Sequence, residues 1–409
     1  MTWRYYHTVW AVMVFTWLTN YSVRVGLAPA LIPIMKEFNL TYAQGGLLAT
    51  AFFYAYTMMQ LPAGYLGDRL GKKAIIVLAA AWWGLMSLFT GFTRSFPMLF
   101  IARFLTGVGQ GSLFSNDRPI IAAYTPREKM GMGQGISFIG LGIGMTLGIL
   151  FAGMITDSFG WRYIFIFYSI PSFLAALLVF VKIKEPQARA VSPGSERKVP
   201  YRLVFTSPDL WLFSLAGIAA IYCLWVLGVW APAMFKEIGV KELAESSVYS
   251  SLLGIAAIPG LILTGMVTDA LVKRGTGRKV VIAAEFVAIA VLMALIGLAV
   301  SMRASALTLS VLVFVAGLFI WGIWAPAYAL LADIVPREIL GTAYGLTNTI
   351  HFLGSLLAPW VTGKIKDMTG SFAGGAYVAA GFIFLAAIIL MAMRPAYRLG
   401  PEVPIGEKV

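Results

Sequence analysis

Charge is what this chain has least of. Only 12% of its 409 residues are Asp, Glu, Lys or Arg, while 59% are hydrophobic and the mean hydropathy is +0.83. A soluble domain carries about 25% charged residues, and no soluble core could hide this much apolar surface. The bilayer must therefore be the solvent for most of the chain. Cysteine is nearly absent: Cys223 alone excludes a disulfide framework and reads as a buried, inert thiol in an apolar run. One cysteine and two histidines leave too few ligands for a zinc or iron–sulfur site, and no cofactor is expected. No loop is long enough for a catalytic domain or holds a nucleophile–base pair, which argues against an enzyme. The first apolar stretch lacks a small-residue cleavage site and reads as a first span, not a signal peptide.

What is present is a succession of apolar runs. They fall near 8–35, 43–66, 74–93, 96–123, 131–156 and 163–181, then near 210–235, 246–272, 280–301, 306–332, 341–366 and 373–393. Each reaches the roughly 20 residues that cross a hydrocarbon core. The pattern predicts an all-α membrane protein of twelve spans: a six-helix unit over 1–182, a polar central loop over 183–209, a second six-helix unit over 210–394 and a tail over 395–409. The net charge of +13 could suggest nucleic acid, but the basic residues lie mostly in short loops. Placing both termini on one side puts 20 Lys and Arg there and 8 opposite, leaving Arg24, Arg103 and Arg118 inside spans. The bias predicts cytoplasmic termini in a cell (inner) membrane, with lipid and no nucleic acid as partners.

The two units repeat one another. Pro126, Arg127, Glu128, Gly131, Gly135, Gly144, Gly153, Asp157 and Gly160 recur at an offset of 210 as Pro336, Arg337, Glu338, Gly341, Gly345, Gly354, Gly363, Asp367 and Gly370. A second repeat, at an offset of 201, aligns Gly64, Asp68 and the basic residues after them with Gly265, Asp269 and Arg274 to Lys279. Parallel six-span repeats suit alternating access, because two similar bundles can rock about one central site. The fifth span carries a run of glycines from Gly131 to Gly153, which reads as close helix packing.

Gly64-Tyr65-Leu66-Gly67-Asp68-Arg69-Leu70-Gly71-Lys72-Lys73, between spans two and three, resembles the loop signature of the major facilitator superfamily. Arg103 with Gly107, Gly109 and Gly111 resembles that family's second motif. The resemblance covers nearly the whole chain and implies a fold of two pseudo-symmetric six-helix bundles. It also implies a cytoplasmic gate at Gly64, Asp68, Arg69, Lys73 and Asp269, which latches the bundles in the outward-facing state. A positive-inside anchor is the plainer role for the same residues, and both can hold. Asn20-Tyr21-Ser22-Val23-Arg24 resembles the first-span signature of the anion:cation symporter branch, Asn-Tyr-x-Asp-Arg, with the monocarboxylate transporter branch as a neighbour. The branch has Asp where this chain has Val23, and often Glu where it has Gln110; those acids are associated there with proton coupling. Gly148 is followed by Ile149, not by the proline usual in drug antiporters of the superfamily.

Inside the spans, Arg24 is the most informative residue. A guanidinium in hydrocarbon needs a partner, and its fork matches a carboxylate or phosphate. Asn20 and Tyr21, at i−4 and i−3, share its helix face. The set could clasp an organic anion or form a fixed internal ion pair. Tyr54, Gln110, Tyr222, Trp225, Tyr328, Tyr344 and Asn348 are further substrate-site candidates. Asp117 and Arg118 are neighbours whose side chains point about 100° apart, so they need not pair with each other. They could join the gate or face the cavity. Arg103 could line the cavity or bond the first span. His351 could carry a proton or simply be hydrogen-bonded. The expected function is proton-driven transport of a small organic anion, a carboxylate or sugar acid, by a monomer. The alternatives are an efflux carrier for amphipathic compounds and a non-transporting, transporter-like receptor.

Overall fold

The computed structural model describes residues 3–126, 129–186, 205–335 and 340–393. The expected central loop over 187–204 and the tail beyond 393 lie outside the described residues. Seventeen helices are described: α1 (Tyr5–Val25), α2 (Leu27–Phe38), α3 (Tyr42–Leu70), α4 (Lys72–Gly91), α5 (Phe96–Gly111), α6 (Phe114–Tyr124), α7 (Met130–Phe159), α8 (Trp161–Lys182), α9 (Pro208–Glu237), α10 (Leu243–Ile255), α11 (Ala257–Lys273), α12 (Arg278–Ser301), α13 (Ala306–Gly322), α14 (Trp324–Ile334), α15 (Leu340–His351), α16 (Leu353–Thr369) and α17 (Ala373–Ala392). Five pairs, α1/α2, α5/α6, α10/α11, α13/α14 and α15/α16, are single spans interrupted by a kink, so the twelve expected spans are all present. No strand is found among the described residues.

Three of the kinks have one cause. Pro29, Pro259 and Pro326 each lie four residues beyond the last residue of α1, α10 and α13, namely Val25, Ile255 and Gly322. A proline has no N–H to give the carbonyl four residues back, so the ladder stops there. At the first kink the exposed helix end is capped from another span. The Arg103 guanidinium on α5 donates to the Val23 and Arg24 carbonyls, at 3.2 Å each.

The first half packs α1 on α7 and α8, α3 on α5, and α4 on α8; the second packs α9 on α16 and α17, and α12 on α17. Small residues let the backbones meet. A methyl group at Gly107 or Gly111 of α5 would strike the backbone of α3 at Phe52 and Tyr56, and one at Gly144 of α7 would strike Leu18. Large apolar side chains such as Leu78, Phe180, Val291 and Phe384 point outward, as a lipid-facing surface requires.

By length and apolarity alone, eight of the described spans could cross a bilayer. The four that fall short are α1/α2, α3, α5/α6 and α15/α16, and these carry Arg24, Gln60, Arg103, Gln110, Asp117, Asn348 and His351. Polar groups in a span are costly, so their concentration in four spans locates the working interior.

The two halves meet chiefly at one end. The face bearing the chain ends and the Asp68 loop is here the near face, and the one bearing the Asn39–Thr41 turn the far face. At the far face α7 lies against α10, and α3 against α16. Asp367 accepts the Tyr42 and Ala43 N–H groups at 2.9 and 2.7 Å, and its repeat partner Asp157 accepts the Ala244 N–H at 2.6 Å. Each carboxylate thus caps the N-terminus of a helix belonging to the other half, where the helix dipole favours negative charge. Thr50 adds a bond to the Leu356 carbonyl at 3.2 Å. Each half also closes its own far end with a glutamate. Glu37 pairs with Arg162, which holds its carboxyl below the ordinary range, and Glu237 pairs with Lys366 at 2.9 Å.

Candidate functional site

A cavity of about 190 Å3 lies between the halves, walled by α1, α3, α6, α7, α9, α11, α13, α14, α15 and the residue Phe352 between α15 and α16. Its lining is aromatic: Trp17, Tyr21, Tyr56, Phe114, Trp225, Trp321, Trp324, Tyr328 and Phe352, with Asn348 as the amide. Trp225 also borders a void of about 10 Å3 at the deep end, lined by Arg24, Arg103, Phe52, Phe53 and Gly228 among others.

Arg24 sits behind the aromatic wall. Its guanidinium carbon lies 4.4 Å from the Tyr21 ring centre, 4.5 Å from Tyr56 and 5.0 Å from Phe52. Nη2 donates to Asn20 Oδ1 at 3.0 Å and Nε to Gln110 Oε1 at 3.3 Å. Gln110 in turn donates to the Asn20 carbonyl at 2.8 Å. Every one of these partners is neutral, and no acid pairs with Arg24 among the described residues. Nη1 is buried and has no hydrogen-bond partner among them. The internal ion pair that was one reading of Arg24 is not seen among the described residues. Gln110 positions the cation without neutralising it, which the glutamate common in the resembled branch would do.

The other basic groups differ. Arg103 is also buried without an acid, and its Nε is unpartnered among the described residues, but its two other nitrogens hold the α1 carbonyls. Arg118 folds back on its neighbour, with Nε 3.1 Å and Nη2 2.8 Å from the Asp117 carboxylate, which also accepts the Trp17 indole N–H at 2.6 Å. This corrects the expectation drawn from the 100° separation. The arginine side chain is long enough to curl back, and a fully buried carboxylate left without a cation would be far costlier than the bend.

Among the expected site residues, the structure gathers Asn20, Tyr21, Arg24 and Gln110 into one cluster and places Trp225, Tyr328 and Asn348 on the cavity wall. Tyr344 stands behind Tyr328, bonding its carbonyl at 3.2 Å. Three of the expected residues lie away from this cavity. Tyr54 is 41% exposed and lines none of the cavities described, while Tyr56 lines the wall. Tyr222 turns its ring edge to Phe382 inside the second half. His351 faces a separate void of about 20 Å3 behind Trp324, against Phe213 and Gly217, with Nε2 unpartnered among the described residues. Each depends on which way its helix face is turned, which the order of residues along a span does not reveal. Trp17, Tyr56, Trp321 and Trp324 were not anticipated for the same reason.

Of the gate residues, Asp68, Arg69 and Lys73 engage their own half. Asp68 pairs with Lys72 at 2.6 Å, Arg69 lies over the Tyr65 ring and Lys73 over the Phe180 ring. Gly64 faces Ser115, Asp269 is exposed, and Glu185 caps α4 through the Lys72 and Lys73 N–H groups.

The sequence model of the Major Facilitator Superfamily matches residues 10–359. The chain is 27% identical to the probable sulfoacetate transporter of Cupriavidus necator, over 98% of this chain and 97% of that one. It is 26% identical to the probable galactarate/D-glucarate transporter of Bacillus subtilis, over 90% and 87%. Among solved structures, a bacterial homolog of the human lysosomal transporter Spinster superposes with a TM-score of 0.82 at 18% identity, over 96% of this chain and 97% of the other, a likeness of fold.

Proposed function

The chain belongs to the Major Facilitator Superfamily, and from that membership we propose that it is a secondary transporter that moves a small organic anion by alternating access. The observation that carries this reading is the Arg24 guanidinium, buried behind the aromatic wall of the central cavity and beside a small separate void, with Nη1 unpartnered and no acid beside it among the described residues. A buried cation in a span is stable only with a counter-charge, and here a carboxylate or sulfonate brought by the substrate supplies it. That two relatives similar over most of their length are named as transporters of organic anions supports the same reading.

The far face is closed and the central cavity lies on the near-face side of Arg24, so the conformation is the one that loads or releases at the near face. The distribution of Lys and Arg supports a cytoplasmic near face in a cell inner membrane. In the opposite state the Asp68 loop would latch the near ends of the two bundles. Proton coupling falls to Asp117, the buried acid that bonds Trp17 on the cavity wall.

The test is uptake by purified protein in liposomes, using labelled mono- and dicarboxylates with and without a pH gradient. Saturable anion uptake is expected, stimulated by inward proton flow. Removing a charge-assisted pair of this kind costs about 100-fold, so Arg24→Ala and Arg24→Lys should lose uptake while inserting normally. Equal uptake by wild type and both variants would sink the role of Arg24. Loss of the pH-gradient effect alone in Asp117→Asn, with exchange retained, is expected from the coupling role.

A further inference from the structure

We infer that the transported anion carries one acidic head on an aromatic or otherwise apolar body, and that it is not a polyhydroxylated sugar diacid. This rests on the anion-transport reading and concerns the same cavity. The inference comes from an inventory of what the cavity can offer. Its body is walled by four indoles, Trp17, Trp225, Trp321 and Trp324, with Leu141 and Leu261 between them. Two of those indole donors are already spent inside the protein: Trp17 on Asp117 at 2.6 Å and Trp321 on the Leu253 carbonyl at 3.0 Å. The Asn348 amide, the one amide on the wall among the described residues, spends its NH2 on Gln60 Oε1 at 3.3 Å. Beyond the phenols of Tyr21, Tyr56 and Tyr328, the wall offers a hydroxyl the Trp225 and Trp324 indole N–H groups and the Asn348 oxygen, set in a lining that is otherwise apolar.

Charge is distributed just as unevenly. The two guanidiniums without an acid, Arg24 and Arg103, both border the small void at the deep end, and each has a buried nitrogen with no partner among the described residues. At the other end Arg118 lies over the Trp17 and Phe114 rings of the wall, but its charge is matched by Asp117. The cavity therefore has one positive pole and one neutral end. A single acidic head fits the pole, whereas a second carboxylate would rest among indoles with no counter-charge.

A sugar diacid such as glucarate would strip several hydroxyls of water against this wall, and each one left unbonded costs about tenfold in affinity. A benzene ring instead gains offset and edge contacts with the indoles. The binding mode is an anchored head with a stacked body.

Calorimetric titration of the detergent-purified full chain with benzoate, 1,4-benzenedicarboxylate and glucarate tests this. Benzoate should bind at least tenfold more tightly than either dianion. Glucarate or the dicarboxylate binding as tightly as benzoate, or more so, overturns the inference. If glucarate binds best and its binding is lost in Arg24→Ala, the anion reading stands and only this inference falls. If benzoate binds best and equally well in Arg24→Ala, the apolar preference stands and the anchoring role falls. Binding of none of the three overturns both.

Discussion

At the far face, Asp367 and Asp157 each reach across to cap a helix of the opposite half; at the near face, Asp68 turns back on Lys72 of its own helix pair. The repeat-related glycines of α7 and of the α15/α16 span show the same contrast. A methyl at Gly153 or Gly363, toward the far end, would strike α10 or the Tyr42 backbone, while Gly135 and Gly345, toward the near end, have nothing within 4 Å among the described residues. One repeated unit thus presents a fastened end and a free end. Since the near-end glycines relieve no contact in this state, their smallness is best explained by a second state in which the near ends meet.

The largest expected effect comes from the glycines. Gly363→Val blocks the approach of α16 to α3, so uptake should fall at least tenfold while the halves still fold, because the nearest atoms a methyl there would meet belong to the other half. Gly135→Leu is the mirror experiment: thermal stability should be unchanged, since the site is open, but uptake should be lost because the near face cannot close. Normal uptake by Gly135→Leu would break the comparison.

A smaller effect is expected from the carboxylates. A charge at a helix N-terminus contributes about 0.3–1 kcal/mol, up to about 2 kcal/mol when partly buried. Replacing both, as Asp157→Asn with Asp367→Asn, should weaken far-face closure by about 2 kcal/mol, a roughly 30-fold change in the ratio of open to closed molecules. Labelling of Ala244→Cys by an impermeant maleimide, in a Cys223→Ala background, would report it as faster modification from the far side. The smallest effect is expected at the near face. Lys72→Ala removes a solvent-facing pair contributing at most about 1 kcal/mol, so the melting temperature should barely move.

Much of this architecture is legible in the sequence because the bilayer imposes a coarse rule. Apolar runs of sufficient length become spans, and a repeat spaced by 210 residues announces two related units. Arg24 stands out for the same reason, since a charge in such a run has few harmless explanations. What could not be read is helical facing. In a soluble helix the polar stripe marks the outside, but a span is apolar all round, so Tyr54 and Tyr56 look equivalent and only one reaches the cavity. The pairing of Asp117 with Arg118 was hidden because side-chain reach, not helical angle, decided it. Asp157 and Asp367 were visible as repeat partners, but their role depends on which helix N-termini face them across the interface.

The account turns on whether the Arg24 charge holds the substrate. The most direct measurement is the dissociation constant of a transported organic anion for wild type and for Arg24→Gln, which keeps a hydrogen-bond donor and removes the charge, taken at one pH and salt concentration. The account predicts about 100-fold weaker binding in the variant. A dissociation constant unchanged within about twofold, well inside the range a lost charged hydrogen bond should exceed, would contradict it.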